Sequence, residues 1–260
     1  MCAALLCSVS ASAEPLIAII IDDLGYERDL GERAINLPGP VTYAVLPGTP
    51  NGSALARIAY RNGKEVLLHL PLEAMANKRP DEPGLLRLDM TRTGFADAVS
   101  RNLASVPHVS GINTHRGSLL TRHPGHMAWL MEEILDHGDL FFVDSFTIAD
   151  SIALDIAEQR GVPAIRRDVF LDPDTAPGTV EREFARLKKV AIEQGFGVGI
   201  GHPYPGTLDY LEKVLPRLER EGFSLVTIGE LVAPTVGTGL KPAVAAESVS
   251  YTHLTLPTTR

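Results

Sequence analysis

An α/β fold, with seven or eight parallel strands closing or nearly closing into a (β/α) barrel, is what this 260-residue sequence predicts. Short apolar runs with little polar alternation recur along the chain, as strands buried on both faces require. Between them lie longer stretches with apolar residues at helical spacing, such as Phe95/Val99/Leu103/Val106, Met127/Leu130/Met131/Ile134 and Val180/Phe184/Leu187/Ala191. Gly63, Gly138, Gly161, Gly195 and Gly222 fall where left-handed helix caps are expected. Such regular alternation places helices outside a parallel sheet.

The first strand is expected at residues 16–21, a β-branched run that stops at Asp22 and Asp23. Ligands of parallel α/β folds bind at carboxyl strand ends, so these two carboxylates are candidates for chemistry; a turn or helix cap is the plainer alternative. Because side chains alternate along a strand, the two should point to opposite sides and do different jobs, one as metal ligand and one as base. Further strands are expected at 41–46, 65–68, 109–112, 140–143, 163–165, 196–200 and 224–226. Their ends carry His69 and then Glu73; Asn113, His115 and Ser118; Asp144 and Ser145; Arg166 and Asp168; and His202. Polar and ionisable groups thus gather on one rim.

Composition narrows the classes. A formal charge of -8 and a pI near 5.5 argue against nucleic acid or an anionic membrane as partner, since no basic stripe offsets phosphate. Residues 1–13 resemble the apolar core and small-residue cleavage site of a secretory signal peptide and contain both cysteines, Cys2 and Cys7. A periplasmic or secreted mature protein without cysteine is expected, which excludes thiolate zinc sites and cysteine nucleophiles. Residues 14–233 form one expected domain, with no later run long enough to span a bilayer. Residues 234–260 read as a disordered tail, and 250–260, including His253, resemble translated adapter sequence and are expected to be non-native.

Aspartate, glutamate and neutral imidazole together suit a catalytic divalent ion, Zn²⁺ foremost. Such an ion activates water and polarises a carbonyl; with Asp22 as base and His202 as acid, the rim would hydrolyse an amide or ester. A phosphoesterase would need rim cations, and only Arg116, Arg166 and Arg167 offer them.

The segments Ile21-Asp22-Asp23, Gly63-Lys-Glu-Val-Leu-Leu-His69-Leu-Pro-Leu-Glu73, Gly111-Ile-Asn-Thr-His-Arg-Gly-Ser118, Phe142-Val-Asp-Ser145, Gly201-His-Pro-Tyr204 and Val226-Thr-Ile-Gly-Glu-Leu231, in that order, resemble the polysaccharide deacetylase superfamily. The resemblance is to its divergent polysaccharide deacetylase branch and runs over roughly residues 14–233. It implies a distorted (β/α) barrel of the NodB-homology type and metal-dependent removal of N- or O-acetyl groups from an envelope glycan. By position it implies Asp22 as base, Asp23 and His69 as metal ligands and His202 as general acid. Where the family has a second metal histidine four residues after the first, this chain has Glu73. Its Arg-x-Pro loop reads Asn113-Thr-His115 here, and the Trp that commonly follows Asp144 is absent. His115 is the preferred third ligand, because histidine-rich sets are commoner for zinc, with Glu73 the alternative. Glu73, Asn113, Ser118, Asp144 and Arg166 are assigned to substrate or support. A catalytically silent barrel that binds glycan or an envelope protein partner is the competing function.

The other histidines carry less. His123 and His126, three apart at a helix start, read as surface caps more readily than as ligands, and His137 as a helix end beside Gly138. Tyr26 and Tyr204 are the aromatic residues best placed to stack on sugar, and Trp129 reads as packing.

Overall fold

Strand β1 (Leu16–Leu24) lies in the middle of the sheet, and its sequence explains why: from Leu16 to Ile21 it offers no polar side chain, so both faces must be covered. The computed structural model describes residues 14–76 and 81–233. The expected leader, with Cys2 and Cys7, and the expected tail, with His253, lie outside the described residues.

After β1 come α1 (Arg28–Ile35), β2 (Thr42–Val45), α2 (Gly52–Arg61), β3 (Glu65–Leu72), α3 (Arg92–Ser105), β4 (Val109–Arg116), α4 (Pro124–Asp136) and β5 (Phe141–Asp144). Then follow α5 (Ala153–Arg160), β6 (Ala164–Arg166), β7 (Val169–Phe170), α6 (Thr179–Gln194), β8 (Phe196–Gly201), α7 (Pro205–Val214), β9 (Ser224–Val226) and α8 (Ile228–Val232). The described strands form one parallel sheet in the order β6-β5-β4-β3-β2-β1-β8-β7. β8 takes one edge of β1 from Leu16 to Ile21; the other edge is shared, with β9 on Leu16–Ala18 and β2 from Ile20 onward. The sheet curls into an incompletely closed barrel whose free edges are β6 and β7.

All eight expected strands are present, and β7 is an addition: two residues, too short for an apolar run to announce. The five anticipated cap glycines all have positive φ, from 69° to 102°. Among the described residues, no helix is long and apolar enough to cross a membrane.

Side-chain alternation divides the core into two shells. Ile17, Ile19 and Ile21 pack outward with the helices, in a cluster that includes Phe95, Met127, Leu130, Phe184 and Leu187. Ala18 and Ile20 point inward with Ala44, Leu67, Val143, Val198 and Ile200. Ile228 of α8 joins this inner shell at the strand starts, where Glu65 accepts hydrogen bonds from the Ile228 and Gly229 N–H groups and the Thr42 hydroxyl. The opposite end of the inner shell is left to polar residues.

Candidate metal-centred active site

The inward rows of side chains continue past the apolar shell into the site. Ala18 and Ile20 lead to Asp22, Leu67 to His69, Val143 to Ser145, Phe170 to Asp172, and Val198 and Ile200 to His202. Register puts Asn113 opposite His69 and His115 opposite Pro71, which brings β3 and β4 to the same mouth.

Asp22 and Asp23 do not face opposite ways as strand alternation predicts. The register of β1 with β2 shifts between Ile21 and Leu24, and Asp23 takes a left-handed φ of 59°, a conformation Asp tolerates better than most residues. Both carboxylates therefore reach one imidazole: His69 Nε2 lies 3.1 Å from Asp23 Oδ1 and 3.6 Å from Asp22 Oδ2. Their roles are separated by surroundings instead. Asp22 is buried, and burial raises its pKa against the lowering influence of His69, His202 and the Asn113 hydrogen bond. At Asp23 burial also acts to raise the pKa, but the His115 and His69 imidazoles beside it outweigh burial and hold the carboxyl well below the usual range.

Asn113, fully buried, ties the base candidate to the ligand candidate. Its Nδ2 donates to Asp22 Oδ1 (2.7 Å), and its Oδ1 accepts from His69 Nδ1–H (2.8 Å). That bond leaves the lone pair of His69 on Nε2. On the other side, His115 Nε2–H donates to Glu82 Oε1 at 3.1 Å, leaving its lone pair on Nδ1. His115 Nδ1 stands 3.0 Å from His69 Nε2 and 3.1 Å from Asp23 Oδ1, which is buried and accepts no hydrogen bond. Three lone pairs, two nitrogen and one oxygen, thus converge with no proton assigned between them. The donor set fits a divalent ion that keeps a position open. A proton is the competing cation: burial works against a charged His115, yet Asp23 and Glu82 raise its pKa to about 9.

His202 faces this trio from β8, its Nε2 3.8 Å from Asp23 Oδ2. Its Nδ1–H donates to Asp172 Oδ1 (2.9 Å), while Asp172 Oδ2 accepts from the His202 backbone N–H and the Thr207 hydroxyl, both at 2.7 Å. Burial lowers the pKa of His202, but Asp172, Asp22 and Asp23 outweigh it and raise the value overall. Tyr204, about half exposed, stacks on the His202 ring with centroids 5.3 Å apart; Tyr26, similarly exposed, lies on the loop after β1. Arg167 donates to the Ser145 and Phe146 carbonyls at 2.7 Å, and its charge acts on Asp22.

Several expected site residues lie elsewhere. The Glu73 carboxylate accepts from Leu88 N–H (2.8 Å) rather than joining the imidazoles, so the trio contains His115 and not Glu73. Ser118 accepts from Met75 N–H (3.1 Å) and braces the loop after β3. Asp144 shares the outward parity of Phe142; it accepts from Phe146 N–H (2.8 Å) and the Ser151 hydroxyl (2.7 Å) and so shapes the loop after β5. Arg166, exposed, lies over the Phe146 ring at 4.3 Å. His126 is not a surface cap: it is buried against Phe95 and Trp129, with its Nδ1 2.9 Å from that of His123. Sequence reading missed Asp172 and Glu82. Two-residue alternation from Phe170 would have found the first; no local pattern marks the second.

The sequence profile described as divergent polysaccharide deacetylase matches residues 19–232. The protein YibQ of Escherichia coli (strain K12) is 34% identical over 241 residues, covering 92% of this chain and 75% of YibQ. The crystal structure of ATU2773 from Agrobacterium tumefaciens C58 superposes with a TM-score of 0.79 at 22% identity, over 86% of this chain and 91% of that one. The catalytic domain of a peptidoglycan N-acetylglucosamine deacetylase from Eubacterium rectale has the same fold, with a TM-score of 0.55 at 15% identity over 89% of this chain and 95% of that domain.

Proposed function

The chain belongs to the divergent polysaccharide deacetylase family, and on that premise we propose that it is a metal-dependent hydrolase that removes acetyl groups from an envelope glycan. One observation carries the reading: the lone pairs of Asp23, His69 and His115 meet between a buried carboxylate, Asp22, and an imidazole, His202. Asp23 Oδ1, His69 Nε2 and His115 Nδ1 would hold the ion, most simply Zn²⁺ for a donor set rich in histidine. When bound, a divalent ion polarises an acyl carbonyl and makes water acidic enough to attack near neutral pH.

The residues of this chain handle the protons. Asp22, its Oδ1 held by Asn113, has Oδ2 free to take the proton of the attacking water, and burial strengthens it as a base. His202 carries a proton on Nε2 toward the departing nitrogen or oxygen, with Asp172 fixing the ring from behind. Tyr204 offers a half-exposed face beside His202 for a sugar ring. The name of the Eubacterium rectale enzyme motivates an N-acetylated cell-wall glycan as substrate class, and with it an address outside the cytoplasm.

The test is acetate release from a panel of N-acetylated and O-acetylated oligosaccharides by Zn²⁺-loaded wild type and Asp22→Asn. The reading expects the variant to keep its metal and lose activity by at least about 10²-fold. Equal rates would remove Asp22 as base. No acetate release from wild type with Zn²⁺, Co²⁺ or Mn²⁺ would favour a silent, binding barrel.

A further inference from the structure

Glu82 is carried on no strand or helix, yet its side chain is only 3% exposed and faces the site. The described segment 81–90 is held at three places. The Asn102 amide on α3 donates to Gly84 O (2.8 Å), Leu86 N–H donates to Pro71 O (2.9 Å), and Leu88 N–H donates to the Glu73 carboxylate (2.8 Å). Gly84 has φ +76°, and a Cβ there would lie 2.4 Å from Asn102 Oδ1, so only glycine lets the segment approach α3 this closely. These anchors place the Glu82 carboxylate against His115. Glu82 Oε1 takes the His115 Nε2–H at 3.1 Å, while Oε2 lies 3.7 Å from Arg116 Nη1.

Burying an ionised carboxylate is costly unless it is paired and hydrogen-bonded, so the placement calls for a role. We infer that Glu82 is a positioning residue for the metal centre, fixing the ring and tautomer of His115 so that Nδ1, not Nε2, faces Asp23 and His69. Arg116 supports it electrostatically from the strand end that carries His115, where Arg116 itself adopts a left-handed φ of 58°. The inference rests on the proposed metal site and deepens it: His69 is oriented by a neutral amide, Asn113, and His115 by a charged carboxylate. A carboxylate behind a ligating imidazole raises its basicity as well as aiming it.

The test is Zn²⁺ affinity of the full chain, by competition with a chromophoric chelator, for wild type, Glu82→Gln and Glu82→Ala. Imidazole ¹H–¹⁵N spectra of the Zn²⁺-loaded proteins report the tautomers. Glu82→Gln keeps shape and an acceptor oxygen, so it decides the matter should Glu82→Ala fail to fold. The expected order of affinity is wild type, then Gln, then Ala, with a total loss of about 10- to 100-fold. His115 should be the Nε2–H tautomer in wild type and mixed in Glu82→Ala. Wild-type binding with unchanged affinity and tautomer in both variants would overturn the role of Glu82 alone. Failure of wild type to bind Zn²⁺ would overturn the metal reading and this inference with it.

Discussion

Asp172→Asn probes how the fold controls its acid. Three donors meet the two oxygens of Asp172: His202 Nδ1–H at 2.9 Å on one, His202 N–H and the Thr207 hydroxyl at 2.7 Å on the other. A carboxamide has one oxygen and one NH₂, so one set of donors must be abandoned. Turning NH₂ toward the backbone N–H and Thr207 strands the buried N–H at about 1–3 kcal/mol and makes the Thr207 hydroxyl an acceptor; turning it toward His202 keeps both of those bonds, provided Nδ1 becomes an acceptor. The second orientation wins. The ring then sits as a neutral tautomer, and a charge-assisted bond worth about 1.5–3 kcal/mol is gone.

General acid catalysis should fall by about 10²- to 10⁴-fold in kcat, with KM and bound Zn²⁺ little changed. The pH profile supplies the sign. Asp172 helps to raise the pKa of His202, and the acid works only while protonated, so activity fails as pH rises through that pKa. Removing the carboxylate must move the alkaline limb to lower pH. Initial rates of acetate release across pH, with metal content checked, measure both effects. An unchanged kcat with an unmoved alkaline limb would refute the assignment of His202 as the acid positioned by Asp172.

The remaining predictions concern Glu65, at the far end of the barrel. Glu65→Ala leaves the Ile228 and Gly229 N–H groups at the start of α8 without their acceptor, and should cost about 2–3 kcal/mol, or roughly 5–10 °C in Tm. In Glu65→Gln an amide oxygen in the place of Oε2 still accepts from Ile228 N–H, the Thr42 hydroxyl and, at 3.3 Å, Gly229 N–H, while the NH₂ in the place of Oε1 gives up the shorter Gly229 bond, so calorimetry should find a smaller loss than in Glu65→Ala, about 1 kcal/mol. Equal losses in the two variants would show that the hydrogen bonds are not what matters. Burial raises the pKa of Glu65 against its three hydrogen bonds, so the folded state takes up a proton before the unfolded chain does. Its contribution to stability is therefore fully present at low pH and declines as pH rises from the ordinary glutamate value through the raised one. Glu65→Gln should flatten that part of the curve, and an identical slope in wild type and variant would count against it.

What was legible in the sequence follows from which interactions are local. β1 announces itself because a strand covered on both faces can hold only apolar residues, and the other seven expected strands follow the same logic. β7 has two residues, too short for an apolar run to mark it, so the alternation that carries Phe170 inward and on to Asp172 becomes readable only once the strand is known. Asp144 and Arg166 come first after their expected strands, but alternation gives the inward places to the next residues, Ser145 and Arg167. For Asp22 and Asp23 alternation misled in the other direction, because a register shift and a left-handed Asp23 bring both to one mouth. Choosing between His115 and Glu73 needed the β3–β4 register, which sets His115 opposite Pro71. Glu82 depended on contacts from α3 and β3 that no spacing along the chain encodes.

The central claim is that Asp23, His69 and His115 share one divalent ion. A crystal structure of the protein grown with Zn²⁺, with anomalous difference density recorded on both sides of the zinc edge, tests it most directly. One full-occupancy peak within about 2.0–2.2 Å of Asp23 Oδ1, His69 Nε2 and His115 Nδ1 is the predicted result. A peak on His123 and His126 instead, or none at the barrel mouth at saturating Zn²⁺, would contradict it.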